Sequence, residues 1–138
     1  MGIGSWFTKA HIAVYQKTDG KLGGNLFGNP ILLLHSVGRK SGKAYISPLT
    51  YVQEGSDYVI IGSNGGQDRH PGWYYNLQAQ PETAVQVNGE LVPVLAHLAE
   101  GNKREMLWQK ICSKHPQYPK YQAKTARPIP LFVLTPLS

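Results

Sequence analysis

Short runs of apolar, β-branched and aromatic residues, separated by turn residues, fill most of this chain. Their lengths and the glycine, asparagine, aspartate and serine residues between them are typical of strands joined by hairpins. The pair Asn88-Gly89 stands between two such runs and is the strongest short-range hairpin signal. Six strands are predicted, at residues 31–37, 44–53, 58–61, 83–87, 91–98 and 129–134.

Helical spacing of apolar residues occurs at three places in the chain. Residues 1–20 form the first amphipathic segment, and a short helix over 72–79 begins after Pro71 and ends before Pro81. A third helix is predicted over 101–113, with a proline-containing loop after it. Because no helix separates the early strands, parallel pairing is disfavoured. The predicted fold is mainly β with flanking helices (α+β), an antiparallel barrel of about six strands, and a partly open sheet is the alternative.

Length and composition favour one globular domain over residues 1–138, with residues 1–20 as an N-terminal helix and lead-in. Cys112 is the single cysteine, so no internal disulfide can form. That favours a reducing compartment, and we expect a cytoplasmic protein without a secretory signal. The formal net charge of +6 leaves an anionic ligand, nucleic acid, a membrane surface or plain solubility open.

The loop between the first two predicted strands is the best candidate for an anion site. Arg39, Lys40 and Ser41 stand there between Gly38 and Gly42, and Lys43 follows directly. Glycines let backbone amides approach an anion, while cations and a hydroxyl supply charge and donors. An ordinary turn with solvated charges fits the spacing equally well. The loop lacks the spacing of a Walker A motif, which disfavours ATP chemistry.

A second glycine loop, residues 62–66, follows the third strand and precedes the helix at 72–79. The start of a helix carries free N–H groups and a partial positive charge, which favour phosphate. Trp73, Tyr74 and Tyr75 are consecutive and cannot all face the core of a short helix. A ring would therefore line a groove or meet solvent, and Asn76 would offer its amide to a planar ligand. Core packing of Trp73 and Leu77, with rim tyrosines, is the alternative.

The order and spacing of these motifs resemble the deazaflavin-dependent nitroreductase family over residues 20–138. The residues that carry the resemblance are Gly38-Arg-Lys-Ser-Gly42, Ser47-Pro-Leu49, Gly65-Gly66, the segment from Pro71 through Trp73, Tyr74, Asn76 and Leu77 to Pro81, Tyr118, Tyr121, and Pro128-Ile-Pro130. The resemblance implies a split β-barrel of the flavin-reductase type. It also implies the coenzyme 8-hydroxy-5-deazaflavin (coenzyme F-420), whose phosphate and polyglutamate tail are anionic.

By motif position, the resemblance assigns most of the two loops and the aromatic segment to the coenzyme. The implied cofactor-binding residues are Arg39, Lys40, Ser41, Gly42, Tyr45, Ser47, Pro48, Gly62, Ser63, Asn64, Gly65, Gly66, Gly72, Trp73, Tyr74 and Asn76. Arg39, Lys40 and Ser41 would contact phosphate or glutamate groups. Asn64 and Tyr45 stand where relatives often carry lysine and arginine, which puts the tail contacts in question.

The resemblance also implies a hydride transfer from the reduced coenzyme to an electron-poor acceptor such as a quinone or nitroaromatic. Ser63 and Tyr121 are the candidates for hydrogen bonding to this acceptor, and Tyr118 would form a wall of its pocket. His115 replaces the first member of the family's aromatic cluster on this side. The preferred acceptor is therefore not carried over from the family.

Other functions remain as alternatives at this level. The barrel would suit FMN in place of the deazaflavin, or would bind a deazaflavin without catalysis. The basic residues near Tyr118 and Tyr121 would suit single-stranded nucleic acid, although we expect no nucleic-acid partner. The N-terminal helix would allow a peripheral membrane contact, and the chain would be a monomer or homodimer. The five histidines lack ligand spacing, so no metal is predicted.

Overall fold

The structure, a computed structural model, describes residues 25–26 and 29–137. The helix predicted in residues 1–20 lies outside these residues. The described residues form the strands β1 (Asn25–Leu26), β2 (Asn29–Val37), β3 (Ala44–Glu54), β4 (Asp57–Ile61), β5 (Glu82–Val87), β6 (Glu90–Leu98) and β7 (Leu131–Pro136). Their helices are α1 (Gly72–Ala79), α2 (Gly101–Lys114) and α3 (Gln117–Gln122), and Asn64–Gly66 form a 3-10 turn.

Six of these strands close into an antiparallel barrel. The strand order is β2-β3-β4-β7-β6-β5, and β5 pairs back to β2 through Leu33↔Gln86, Leu34↔Val85 and His35↔Ala84. The two-residue strand β1 extends the sheet beside β2. This architecture confirms the predicted barrel of about six antiparallel strands.

Two long strands each serve both halves of the barrel. Residues 44–50 of β3 pair with β2, whereas residues 51–54 pair with β4. Strand β6 changes in the same way from β5 to β7. The half of β3 that pairs with β2 is only partly buried, so one side of it remains available to line a groove.

Alternate residues of β4 and β7 divide the core into two layers. Ile60 and Phe132 point into the barrel, where they share a buried cluster with Trp73 and Leu77 of α1. Val59 and Val133 point outward into a second cluster that α2 and α3 cover; its helical members include Leu107, Ile111 and Tyr118. The period of two along the strands therefore places α1 and α3 on opposite layers.

Helix α3 is a difference from the sequence prediction, which placed Tyr118 and Tyr121 in a loop. Pro116 is the residue before the helix and Pro119 lies in its first turn. The first N–H groups of a helix have no acceptor within it, so proline is tolerated there. The last strand also begins at Leu131 rather than at residue 129, because Pro128 and Pro130 cannot donate to a ladder.

The turn between β5 and β6 matches its sequence signal. Asn88 and Gly89 both have positive φ, 50° and 85°, as a two-residue type I′ hairpin requires. Among residues 25–26 and 29–137, no helix has the length and apolar character needed to cross a membrane.

Candidate active site

Two adjoining cavities lie along β3. The larger, of about 660 Å³, lies between β3, the loop after β4, the start of α1 and α3; its lining residues are Pro48, Leu49, Thr50, Ile61, Ser63, Asn64, Gly65, Pro71, Trp73, Gln117, Tyr118 and Tyr121. The smaller, of about 450 Å³, lies under the β2–β3 loop and is lined by Ser36, Gly38, Arg39, Lys40, Ser41, Tyr45, Ser47, Gly72, Trp73 and Asn76.

Trp73 forms part of both cavities, so it separates two ends of one groove. The neighbouring pairs Ser47 and Pro48, and Gly72 and Pro71, contribute one residue to each end. Cavities of this size are typical of small-molecule sites. We name the end around Arg39 the basic end and the end around Tyr118 the tyrosine end.

The loop over the basic end is a tightly bonded hairpin. The N–H of Gly38 donates to the carbonyl of Lys43 at 2.8 Å, and the N–H of Gly42 donates to the carbonyl of Gly38 at 2.8 Å. The Ser41 hydroxyl accepts from the N–H of Lys43 at 3.2 Å. A Cβ at Gly38 would lie 2.7 Å from the Ser41 hydroxyl. A larger residue at this position would therefore force the Ser41 or Tyr45 side chain to move.

Arg39 joins this loop to α1. Its backbone N–H and its Nη1 donate to Oδ1 of the buried Asn76, at 3.2 and 3.1 Å, and its guanidinium lies 4.8 Å from the centre of the Tyr75 ring. One edge of the guanidinium is thus occupied by the protein, and its plane is fixed. The sequence predicted that the Asn76 amide contacts a ligand. In the structure its side-chain oxygen also orients Arg39.

Arg127 holds the second loop in place. Its Nη2 donates to the carbonyl of Ser63 at 2.8 Å, its Nη1 to the carbonyl of Gly62 at 3.2 Å, and its Nε to the carbonyl of Gln67 at 2.8 Å. Its Nη1 also lies 3.0 Å from Nδ1 of His70. A planar guanidinium can satisfy several carbonyls at once because its five donors lie in a fixed fork. Arg127 therefore determines where Ser63 sits in the tyrosine end.

The glycines of the second loop have different roles. Gly66 has a φ of 84°, and a Cβ there would lie 2.7 Å from the carbonyl oxygen of Tyr121, so Gly66 is a packing contact between the loop and α3. A Cβ at Gly62 would lie 2.8 Å from the Pro130 ring, whereas Gly65 has open space around it. Only Gly65 of these three lines the groove.

Two tyrosines of α3 form one side of the tyrosine end. Tyr118 is buried, and its ring meets that of Tyr121 edge to face at 5.9 Å between centroids. Burial raises the pKa of the Tyr118 hydroxyl, and its hydrogen bond with Thr50 opposes that shift. The phenol therefore stays protonated at neutral pH. His115 continues this aromatic row, 6.0 Å from Tyr118.

The groove brings together all three residues predicted to act on the acceptor, Ser63, Tyr118 and Tyr121, and most of those predicted for the coenzyme. Four predicted coenzyme residues do not line it: Gly42, Gly62, Gly66 and Tyr74. Tyr74 instead packs edge to face on Phe132. Its ring also stacks on that of His70, with 4.0 Å between the centroids of Tyr74 and His70. Consecutive helix positions point about 100° apart, so Trp73 and Tyr74 face different sides of α1.

The groove also contains residues that the sequence did not assign to a site: Ser36, Gly38, Leu49, Thr50, Ile61, Pro71 and Gln117. Thr50 could have been found from the two-residue period of a strand, because it lies two residues after the predicted Pro48 and therefore on the same face of β3. Ser36 lies inside an apolar strand, which is itself a signal for a buried hydroxyl. Gln117 had no signal, since α3 was not predicted. The described part of the chain contains no group of three or more His, Cys, Asp or Glu side chains placed to hold a metal ion.

Acid should destabilise the second loop through His70. Its Nδ1 accepts from Arg127, and burial, with the Arg127 charge, holds the pKa of His70 below its ordinary value. At a pH between the lowered pKa of His70 in the folded protein and its ordinary pKa in the unfolded chain, the unfolded chain binds a proton that the folded protein does not. The stabilisation is therefore present above pH 6.5 or so and lost as the pH falls. Thermal unfolding at pH 7.5 and pH 5 should show a lower Tm in acid.

The matched comparison is His70→Gln, whose amide oxygen can accept from Arg127 but does not titrate. We expect its Tm to fall less between pH 7.5 and pH 5 than that of the wild type. His97→Gln, a change at an exposed histidine of β6, should keep the wild-type dependence. Equal pH dependence in all three proteins would show that His70 is not a source of the acid sensitivity.

Comparisons with known proteins identify the family. The F420H(2)-dependent quinone reductase family matches residues 6–136. An F420H(2)-dependent quinone reductase of Mycobacterium tuberculosis (strain ATCC 25618 / H37Rv) is 36% identical over 137 residues, covering 96% of this chain and 92% of the relative. This chain belongs to that family, which confirms the predicted resemblance to deazaflavin-dependent reductases.

Solved structures agree with this assignment. An F420-H2 dependent reductase (FDR-A) is 40% identical, with a TM-score of 0.70 over 76% of this chain and 93% of that chain. A second structure, described as a domain-swapped dimer, is 34% identical, with a TM-score of 0.73 over 96% of this chain and 99% of that chain. These likenesses confirm the flavin-reductase-like split barrel.

The groove fits the coenzyme that the family name implies. Its basic end carries the cations and donors suited to an anionic tail, and its centre carries the broad ring of Trp73. Gly72 has no other atom within 4 Å of the place where a Cβ would stand, which leaves space at the start of α1. Polar groups at one end and aromatic rings at the other match a flat chromophore joined to an anionic chain.

Proposed function

We propose that this protein transfers a hydride from reduced coenzyme F-420 to a quinone or nitroaromatic acceptor. The observation that carries the proposal is the single groove in which Trp73 stands between a basic end and a tyrosine end. The basic end suits the phosphate and glutamates of the coenzyme. The tyrosine end, with mixed apolar and hydroxyl groups, suits a conjugated acceptor.

The basic end recognises the coenzyme in two ways. Lys40 is exposed at the mouth of the groove and supplies a flexible charge, while Arg39 is fixed against α1 by Asn76. The exposed Tyr45, where relatives often carry arginine, supplies a ring in place of a third charge. We therefore expect the tail to be held by fewer ionic contacts than in those relatives.

The bound coenzyme supplies the hydride, and the protein orients the reactants and excludes water. Tyr118 presents a neutral phenol buried beside Thr50. Ser63, positioned by Arg127, and Tyr121 offer hydroxyl groups from two different elements that border the same space. Donors fixed before the reaction stabilise negative charge as it develops on an acceptor oxygen. This arrangement requires neither a nucleophile nor a metal ion.

A non-catalytic coenzyme carrier and an FMN-dependent reductase are the rival functions. A carrier would bind the reduced coenzyme and leave it unoxidised when menadione is added. The two-ended groove favours a reductase, because a carrier has no need of a second cavity beside the ring wall. We also propose a cytoplasmic location, and sedimentation of the purified chain distinguishes a monomer from a homodimer.

The cofactor choice is directly measurable. Reduced coenzyme F-420 should bind at least tenfold more tightly than FMN, which corresponds to about 1.4 kcal/mol. The physical reason is the basic end, which can contact a tail that FMN lacks. Titration followed by chromophore absorbance measures both affinities in the same buffer. Equal affinities, or FMN retained at full occupancy through purification, would contradict the proposed function.

A further inference from the structure

A further cavity, of about 380 Å³, lies outside the groove and shares no lining residue with either of its ends. Residues of α1, the end of β6, the first turn of α2 and the segment 127–130 line it. Two of these residues are Arg104 and Arg127, and we name this space the arginine cavity. Its volume falls within the range of about 300–1,000 Å³ that is typical of small-molecule sites. It is therefore large enough for a small organic ligand.

Arg104 extends from the first turn of α2 to the cavity wall. Its Nη2 donates to the carbonyl of Ile129, another lining residue, at 2.6 Å, and its Nη1 donates to Glu105 at 3.0 Å. The Arg104 side chain is 16% exposed, whereas that of Glu105 is 62% exposed, so this ion pair is largely solvated on its acidic side and weak. Each terminal nitrogen of a guanidinium carries a second N–H. Arg104 therefore brings a mostly buried positive charge and further donors to the cavity.

Arg127 adds a second positive charge. Its Nη1 lies 3.0 Å from Nδ1 of His70, which also lines the cavity, and its other hydrogen bonds go to backbone carbonyls. Among the described residues, no Asp or Glu forms a salt bridge with Arg127, and the exposed Asp68 acts on it only at longer range. Carbonyls and an imidazole satisfy the donors but do not balance the charge. An anion in the arginine cavity would balance it.

The rest of the cavity wall indicates what kind of anion fits. It is mainly apolar, and it includes the half-buried Tyr74, Leu98 and Pro130 and the buried Ile129. An inorganic anion would gain nothing from this apolar surface. Glu100 is exposed, also lines the cavity, and would repel a multiply charged anion more than a singly charged one. A planar carboxylate matches the geometry of a guanidinium, so the features together favour one carboxylate joined to an apolar body.

We propose that the arginine cavity is a binding site for a small organic monocarboxylate. The carboxylate accepts hydrogen bonds from Arg104 and Arg127, and the apolar body lies against Tyr74 and Leu98. The cavity is separate from the groove, so the inference goes beyond the proposed function and does not rest on it. Arg127 also donates to the carbonyl of Ser63 at 2.8 Å. An occupant of the arginine cavity is therefore coupled to the tyrosine end of the groove through one side chain.

The experiment titrates the full chain at pH 7.5 with three probes: phenylacetate, its neutral amide phenylacetamide, and acetate. Calorimetry or NMR chemical shifts measure the affinities. Phenylacetate should bind at least about tenfold more tightly than either of the others, because the amide lacks the charge and acetate lacks the apolar body. Equal affinity for phenylacetamide would show a purely apolar cavity, and equal affinity for acetate would show only contact with a cation. Either result, or no binding of phenylacetate, would overturn the proposal.

Variants test whether binding occurs in the arginine cavity. Arg104→Gln should bind phenylacetate about tenfold more weakly, the loss typical of hydrogen bonds to a charged group. Lys103→Gln is the matched control, because it removes the same charge from an exposed neighbour that does not line the cavity; its affinity should change less than about twofold. Glu100→Gln should bind phenylacetate more tightly, and it keeps the test informative if Arg104→Gln does not fold. Equal affinities in wild type, Arg104→Gln and Glu100→Gln would exclude this site.

Hydrogen exchange tests the contact with Arg127. The N–H of Gly66 donates to the carbonyl of Ser63 at 2.9 Å, and the N–H of Gln67 donates to the carbonyl of Asn64 at 3.2 Å. Because a bound carboxylate fixes Arg127, which holds this loop, phenylacetate should slow the exchange of both amides in the wild type. Binding without slower exchange would overturn the placement of the carboxylate on Arg127. None of these measurements uses coenzyme F-420, so failure of the proposed function leaves their outcome unchanged.

Discussion

Arg127→Met should lower the free energy of unfolding by about 2–4 kcal/mol, the range expected when a charged donor to several partly buried carbonyls is removed. The carbonyls of Gly62, Ser63 and Gln67 would lose their donor together, and His70 would lose its partner. For a chain of this size the corresponding decrease in Tm is roughly 10 °C. Thermal or urea unfolding measures the effect.

The same substitution should also slow acceptor reduction, because Ser63 is then free to leave the tyrosine end. Arg127→Lys keeps the charge but cannot donate to three carbonyls in one plane, so it should lose nearly as much stability. Arg69→Met removes one positive charge from an exposed side chain of the same loop and serves as the matched control. A stability of Arg127→Met within 0.5 kcal/mol or so of that control would refute the proposed role of Arg127.

Tyr121→Phe and Ser63→Ala should each slow the oxidation of bound reduced coenzyme about tenfold or more, while its affinity changes less than about twofold. The two hydroxyl groups lie at the tyrosine end, and the tail contacts lie at the other end of the groove. A hydrogen bond to an oxygen that gains negative charge is stronger in the transition state than in the ground state. Its loss therefore appears in the rate rather than in coenzyme binding.

Stopped-flow oxidation by menadione, after a binding titration with each variant, separates the two quantities. Tyr58→Phe is the matched control, because Tyr58 packs against the barrel core away from the groove. Unchanged rates in both variants would leave Ser63 and Tyr121 as wall residues only. A large loss of coenzyme affinity would instead place these residues in the coenzyme site.

The local elements were predictable because each depends on neighbouring residues. The helix over 72–79 was predicted with the bounds that the structure shows, since Pro71 and Pro81 mark both of its ends. The hairpin at Asn88-Gly89 follows from the ease with which these residues adopt positive φ. Helix α3 was missed because prolines were taken as helix terminators, although they occupy its N-terminal positions, where they are compatible with a helix.

The candidate site was only partly predictable, for a different reason. Motif order indicated which loops carry the chemistry, and both glycine loops border the groove. Motif order did not indicate which member of a loop faces the ligand. Position 66 needs a glycine because the backbone there lies close to the Tyr121 carbonyl, whereas the neighbouring Gly65 lines the cavity. That distinction depends on an element 55 residues further along the chain.

The sequence by itself determined the strands, the hairpin, α1 and the family, because local backbone preferences and motif spacing are properties of the chain alone. The tertiary structure decided which groups meet across long separations. It placed Arg127 on the carbonyls of Gly62 and Ser63, Arg39 on Asn76, and Ser36 in one cavity with the first residues of α1. Such contacts form when the barrel closes and brings distant segments together, and no short stretch of sequence contains the information for them.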